Sequence, residues 1–149
     1  MKLEEIRTEF ELGIRCLLDA RERSLKEGID GFDELRILEA AFNRLFLAVE
    51  HFCNAVVIFE TGNYSKKHFG DFERLKIIKE KYSIDFCGVY QETYSFRSFG
   101  DYRKFPELEE KFDREHLRKE IVIVNDVIRH CFEVLCGKID ISDIIDKMV

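Results

Sequence analysis

FDELRILEAAFNRLFLAVEHFCNAVVIFET, residues 32–61, decides the fold of this chain. Leu35, Leu38, Phe42, Leu45, Val49, Phe52, Val56 and Phe59 follow one another at alternating spacings of three and four. That period lines one face of an α-helix and fits no strand. Beside the stripe Ala41, Ala48 and Ala55 recur every seven residues, small enough for another helix to pack closely. Ile37, Phe46, Leu47, Val57 and Ile58 add apolar character to further faces, which predicts a helix that is central in its bundle or shared with a dimer partner.

Toward the N-terminus, Leu3, Ile6, Phe10 and Leu17 predict a first helix over about Lys2 to Glu27, weakened locally by Gly13. The break from Gly28 to Gly31 makes it a hairpin partner of the long helix. On the other side Gly62 and Asn63 supply a stop, and the stretch to Gly70 reads as a polar connection. Asp71 and Ser83 are read as N-caps of two shorter helices, about Phe72 to Lys81 and Ile84 to Phe96. Arg97 to Pro106 holds Gly100 and the only proline, so it reads as an exposed loop. Leu117, Ile121, Val124, Ile128, Cys131 and Leu135 predict a last long helix from about Leu108 or Asp113 to Cys136, ended by Gly137. Residues 139–149 form a short terminal helix or a frayed end. The expectation is a single all-α domain over residues 1–149, an up-and-down bundle of four to five helices.

Composition supports this class. A chain of 149 residues can bury roughly 70% of its unfolded surface, and 46% hydrophobic with 36% charged residues is globular rather than disordered. The net charge of -6 argues against indiscriminate binding of polyanions while leaving room for a local basic patch. Five cysteines without a CxxC pair predict reduced thiols in a cytoplasmic protein. Four scattered histidines predict no metal site, and no cofactor motif is present. The chain is expected to carry no signal peptide and no apolar segment approaching a membrane span of ~20 residues.

Three places have the residue types for chemistry. Arg44 and His51 lie one heptad apart on the flank of the long helix, where they could bind a phosphate or transfer a proton, or else form a solvated edge. His68 follows Lys66 and Lys67 in a turn that could meet an anion or be an ordinary charged turn. The segment Phe96-Arg97-Ser98-Phe99-Gly100-Asp101-Tyr102-Arg103-Lys104 combines three cations, a carboxylate and a phenol. Arginine grips phosphate in bidentate fashion, and aromatic rings stack on bases. The plainer alternative is an Arg97 to Asp101 salt bridge with Tyr102 packing the loop onto the bundle.

In the order and spacing of these segments the chain resembles the HEPN family of small prokaryotic helical domains. The resemblance rests on the helix stretch Phe42-Asn43-Arg44-Leu45-Phe46-Leu47-Ala48-Val49-Glu50-His51-Phe52, on His68 before Phe69-Gly70-Asp71-Phe72, on Arg97 followed by Asp101-Tyr102, and on the closing helix. It covers about residues 32–135. It implies a helical bundle, a symmetric homodimer, and a partner of the minimal nucleotidyltransferase type in a toxin–antitoxin-like pair. In active members an arginine and a histidine four to six residues on form a metal-independent ribonuclease site. Arg97 matches that arginine, whereas Tyr102, Arg103 and Lys104 occupy the histidine's place, so the chain is similar to the branch with an Arg…Asp-Tyr signature. The expected role is nucleotide or RNA binding through His68, Arg97, Asp101, Tyr102, Arg103 and Lys104. The alternatives are a ribonuclease using Arg97 and Tyr102, and an interaction protein with no ligand.

Overall fold

The alternating stripe of residues 32–61 lies on one continuous helix, α2 (Gly31–Thr61). Its positions from Leu38 to Val56 are buried, with Leu35 and Phe59 half-buried at the two ends, and Ala41, Ala48 and Ala55 are fully buried beside them. Asp30 starts the helix by accepting the N–H of Asp33 at 2.7 Å. Gly62 stops it at φ +81°, a left-handed turn that glycine adopts without strain.

In this computed structural model, which describes residues 2–28, 30–64 and 71–148, the other elements pack around α2 as a purely helical bundle. They are α1 (Leu3–Ser24), α3 (Phe72–Tyr82), α4 (Cys87–Tyr102), a 3-10 helix (Pro106–Lys111), α5 (Arg114–Leu135), α6 (Ser142–Ile145) and a last 3-10 turn (Asp146–Met148). No strand occurs among the described residues. By length and composition α2 could cross a membrane, contrary to the expectation that no segment comes close, but most of that stretch is buried against other helices.

The apolar surplus of α2 is largely absorbed within the chain. Phe46, Val57 and Ile58 are buried, and the Phe46 ring meets Tyr90 edge-on at 5.4 Å. The exposed apolar side chains are Phe32 in the first turn of α2 and, on other segments, Leu25, Val122 and Ile123 among others. Against α1 the approach of α2 is very close: a Cβ at Gly13 would fall 2.5 Å from the Phe52 ring. The glycine that reads as a weak point in α1 is thus a contact point with α2.

Two boundaries differ from the sequence reading. Ser83 caps no following helix. It closes α3 at φ +57°, with its N–H on the Lys79 carbonyl and its own carbonyl accepting from His130 Nε2 at 2.9 Å. More consequentially, α4 does not stop at Phe96 but continues to Tyr102 through the stretch that reads as a loop. Phe96 and Phe99 are both buried, which rewards another turn of helix, and Gly100 makes room for the ring of Phe112, whose Cζ would lie 3.1 Å from an added Cβ. Arg103 then clasps the helix end, donating to the carbonyls of Phe99 and Gly100 at 3.0 Å each and to Glu39 of α2 at 2.9 Å.

Beyond the 3-10 helix, Phe112 enters an aromatic stack in which Phe42 lies between Phe96 (4.6 Å) and Phe112 (4.8 Å). Asp113 caps α5 by accepting the His116 N–H at 2.8 Å. The predicted α5 stripe is buried throughout, and within Ile121 to Val124 the outer two side chains point inward while the middle two are exposed, as a helix requires. Arg114 ties α5 to Glu34 of α2 and to the Ser24 carbonyl at the end of α1. The chain end folds as α6, fastened by Arg7 to Asp143. Cys16, Cys53 and Cys131 are buried free thiols, and burial pushes those of Cys53 and Cys131 up, so they behave as small hydrophobes.

Candidate functional site

Because α4 is helical through Tyr102, Arg97 and Asp101 stand one turn apart on the same side of it. Arg97 Nε lies 3.1 Å from Asp101 Oδ2. Its guanidinium carbon is 5.5 Å from the ring centroid of Phe46, on α2, and 5.9 Å from that of Tyr102. A carboxylate and two rings therefore fix a cation whose side chain is only 23% exposed. Nε is buried and has no hydrogen-bond partner, so its pairing with Asp101 is one of charge and proximity rather than a directed bond. Asn43 of α2 donates to the same Asp101 oxygen at 3.4 Å.

The remaining residues of the segment divide. Tyr102 is 64% exposed, so its phenol faces solvent instead of packing the segment onto the bundle, and Lys104 Nζ lies 5.8 Å from its ring centroid. Arg103, expected at a ligand, spends its N–H groups on the end of α4 and on Glu39. His68 lies outside the described residues. Of the six candidates, Arg97, Asp101, Tyr102 and Lys104 come together at one helix end.

Beside Asp101 a shallow depression of about 360 Å³ is lined by Arg23, Arg36, Glu39, Asn43 and Arg44. Three arginines against two carboxylates make it locally cationic in a chain of net charge -6. Asp19 holds Arg23 and Arg44 through one oxygen, at 3.0 and 2.8 Å. Burial opposes the charge of Asp19, yet the two arginines keep its carboxyl below the ordinary range. Arg36 has no ion-pair partner among the described residues. Arg36, Ala40, Asn43 and Arg44 share one face of α2 at helical spacing, a signal present in the sequence but concealed as an ordinary polar flank.

Arg44 and His51 do not converge on one ligand. His51 Nδ1 lies 2.7 Å from Glu9 Oε2, and the hydroxyl of Tyr64 donates to Glu9 at 3.0 Å. Burial works against the Glu9 charge, but the contacts from His51 and Tyr64 hold its carboxyl below the usual value. Burial and the Glu9 carboxylate push the Tyr64 phenol up to about 12. These groups fasten α1 to α2 and to the segment that follows it.

The Arg97 end thus offers a preset cation, an exposed ring and an unpaired arginine, a combination suited to phosphate and base. No group of three or more His, Cys, Asp or Glu side chains able to hold a metal is present among the described residues. No protein-family model, no curated protein and no solved structure matches this chain. Its fold and site define an all-α bundle with a cationic face.

Proposed function

We propose that this chain is a HEPN-like helical protein that binds a nucleotide or an RNA end at the Arg97 face, as one member of a toxin–antitoxin-type pair with a minimal nucleotidyltransferase. The observation that supports it is the guanidinium of Arg97, close to the ring centroids of Phe46 (5.5 Å) and Tyr102 (5.9 Å) and paired with Asp101, which borders the arginine-lined depression. An arginine already ordered in this way can grip a phosphate with little further loss of side-chain freedom, and the exposed Tyr102 ring can stack on a base. The nucleotidyltransferase partner rests on the residue resemblance alone. The reading includes a cytoplasmic homodimer; the exposed apolar side chains available to it are Leu25 and Phe32 beside the α1–α2 turn and Val122 and Ile123 on α5.

Binding rather than cleavage is the activity proposed. In the histidine's place stands the Tyr102 phenol, a group less suited than an imidazole to shuttling protons. The test is fluorescence anisotropy with ATP and short single-stranded RNA, together with copurification with a co-encoded nucleotidyltransferase. Arg97→Ala is expected to weaken nucleotide or RNA affinity about tenfold or more, the order of one charge-assisted hydrogen-bonded contact, and the RNA should stay intact. Affinity unchanged for every one of these ligands would sink the reading.

A further inference from the structure

Counted around the helix, Glu92 and Ser95 lie on the flank of α4 opposite Arg97 and Asp101. There they line a groove of about 390 Å³ completed by Glu107 and Lys111 of the 3-10 helix and by His116 and Glu120 of α5. Its volume lies in the range of small-molecule sites, and Phe96 and Leu108 give it an apolar wall.

Glu120 is the unusual group. It is 4% exposed, and its Oε2 is buried with no hydrogen-bond partner. The group that approaches it from α4 is the carboxyl of Glu92, a second acid where a buried carboxylate would be stabilised by a cation. Burial, and after it Glu92, push the Glu120 carboxyl up to about 8, so at neutral pH the two acids keep one proton between them. The other titratable groups on the groove are Glu107, Lys111 and His116, and His116 Nδ1 is occupied by Asp113 Oδ1 at 2.8 Å. Neither Lys111 nor His116 lies within ion-pair distance of Glu92 or Glu120.

We propose that this groove binds a small organic cation, an alkylammonium or guanidinium compound, whose charged head sits between Glu92 and Glu120 with its hydrocarbon part along Phe96 and Leu108. The cation takes the place of the proton that the two acids share, which leaves to solvent, and it partners the buried Glu120 oxygen once that proton is gone. An anion would face Glu92 and Glu107. A metal ion would want at least three donors, and no such group is present among the described residues. A purely structural pair would work as well with an amide in place of one acid, which is where the test divides the two cases.

The test is calorimetric titration of the intact chain with putrescine and agmatine, with 1,4-butanediol as the uncharged control. Saturable binding of the two cations and none of the diol is expected. Near pH 7 binding should release close to one proton, read from the dependence of the heat on buffer ionisation enthalpy, and affinity should rise toward about tenfold per pH unit up to pH ~8 and level off above. Glu120→Gln and Glu92→Gln should each lose about tenfold or more in affinity; Glu92 is exposed, so its variant tests the site even where Glu120→Gln folds poorly. Arg97→Ala should leave cation affinity unchanged, which separates this site from the phosphate site. Absence of saturation at millimolar concentrations, full affinity in Glu92→Gln, or binding without proton release would overturn the proposal.

Discussion

On one flank of α4 a cation, Arg97, lies against a carboxylate and two rings with its Nε unbonded, while on the other an acid, Glu120, is buried facing a second acid, Glu92. The same helix carries both, yet the physics differs. Arg97 is a guanidinium with an opposite charge beside it, so a ligand only completes its hydrogen bonding. Glu120 has a like charge beside it and stays buried at neutral pH only by holding a proton or acquiring a cation. The first flank should be indifferent to pH and the second should respond to it.

The largest way to break this contrast is to remove what both flanks stand on. Phe42 is stacked between Phe96 and Phe112, so Phe42→Ala should cost about 3–5 kcal/mol in urea denaturation and weaken ligand binding on both sides together. Next comes the acid pair. A folded-state value raised above that of the unfolded chain means that the folded state holds the extra proton. Stability from Glu120 is therefore fully present below the ordinary carboxylate range near pH 4.5 and is lost as pH rises toward 8. Glu120→Gln should flatten that slope and be more stable than the parent above pH 8 by on the order of 3 kcal/mol. Denaturation curves at pH 5, 7 and 9 that stay parallel for parent and variant would remove the distinction between the flanks. The smallest effect belongs to the Arg97 side. Asp101→Asn frees the guanidinium of its intramolecular partner, and it should change stability by less than about 1 kcal/mol while raising affinity for a phosphate ligand by roughly twofold to threefold, equally at pH 6 and 8.

The long elements were legible because their burial pattern repeats: the stripes of α2 and α5 occur in the structure at the positions where the spacing puts them. The end of α4 was not, since Gly100 and Pro106 look like breakers when neighbours are unknown. In the fold Gly100 is a helical residue that admits the Phe112 ring, and Pro106 opens the next element. Ser83 shows the same limit: a serine before an apolar run suits an N-cap, but the left-handed end of α3 claimed it. At the candidate site Arg97 and Asp101 could be found from one short segment, whereas Arg23 and Arg36 join them only through packing between helices. Glu120 was wholly concealed, because nothing near it in the sequence distinguishes it from a solvated helix charge; its partner Glu92 is on another helix.

The clasp of Arg103 over the last carbonyls of α4 and onto Glu39 has a dynamic consequence. It joins the end of α4 to α2, and Phe46 of α2 carries the Arg97 guanidinium, so the two walls of the cationic face should move as one body. A ligand there would meet a surface ordered in advance, with little entropy left to lose on the protein side. Amide exchange at the end of α4 should accordingly be slow in the free chain and change little on binding, and Arg103→Ala should make it fast.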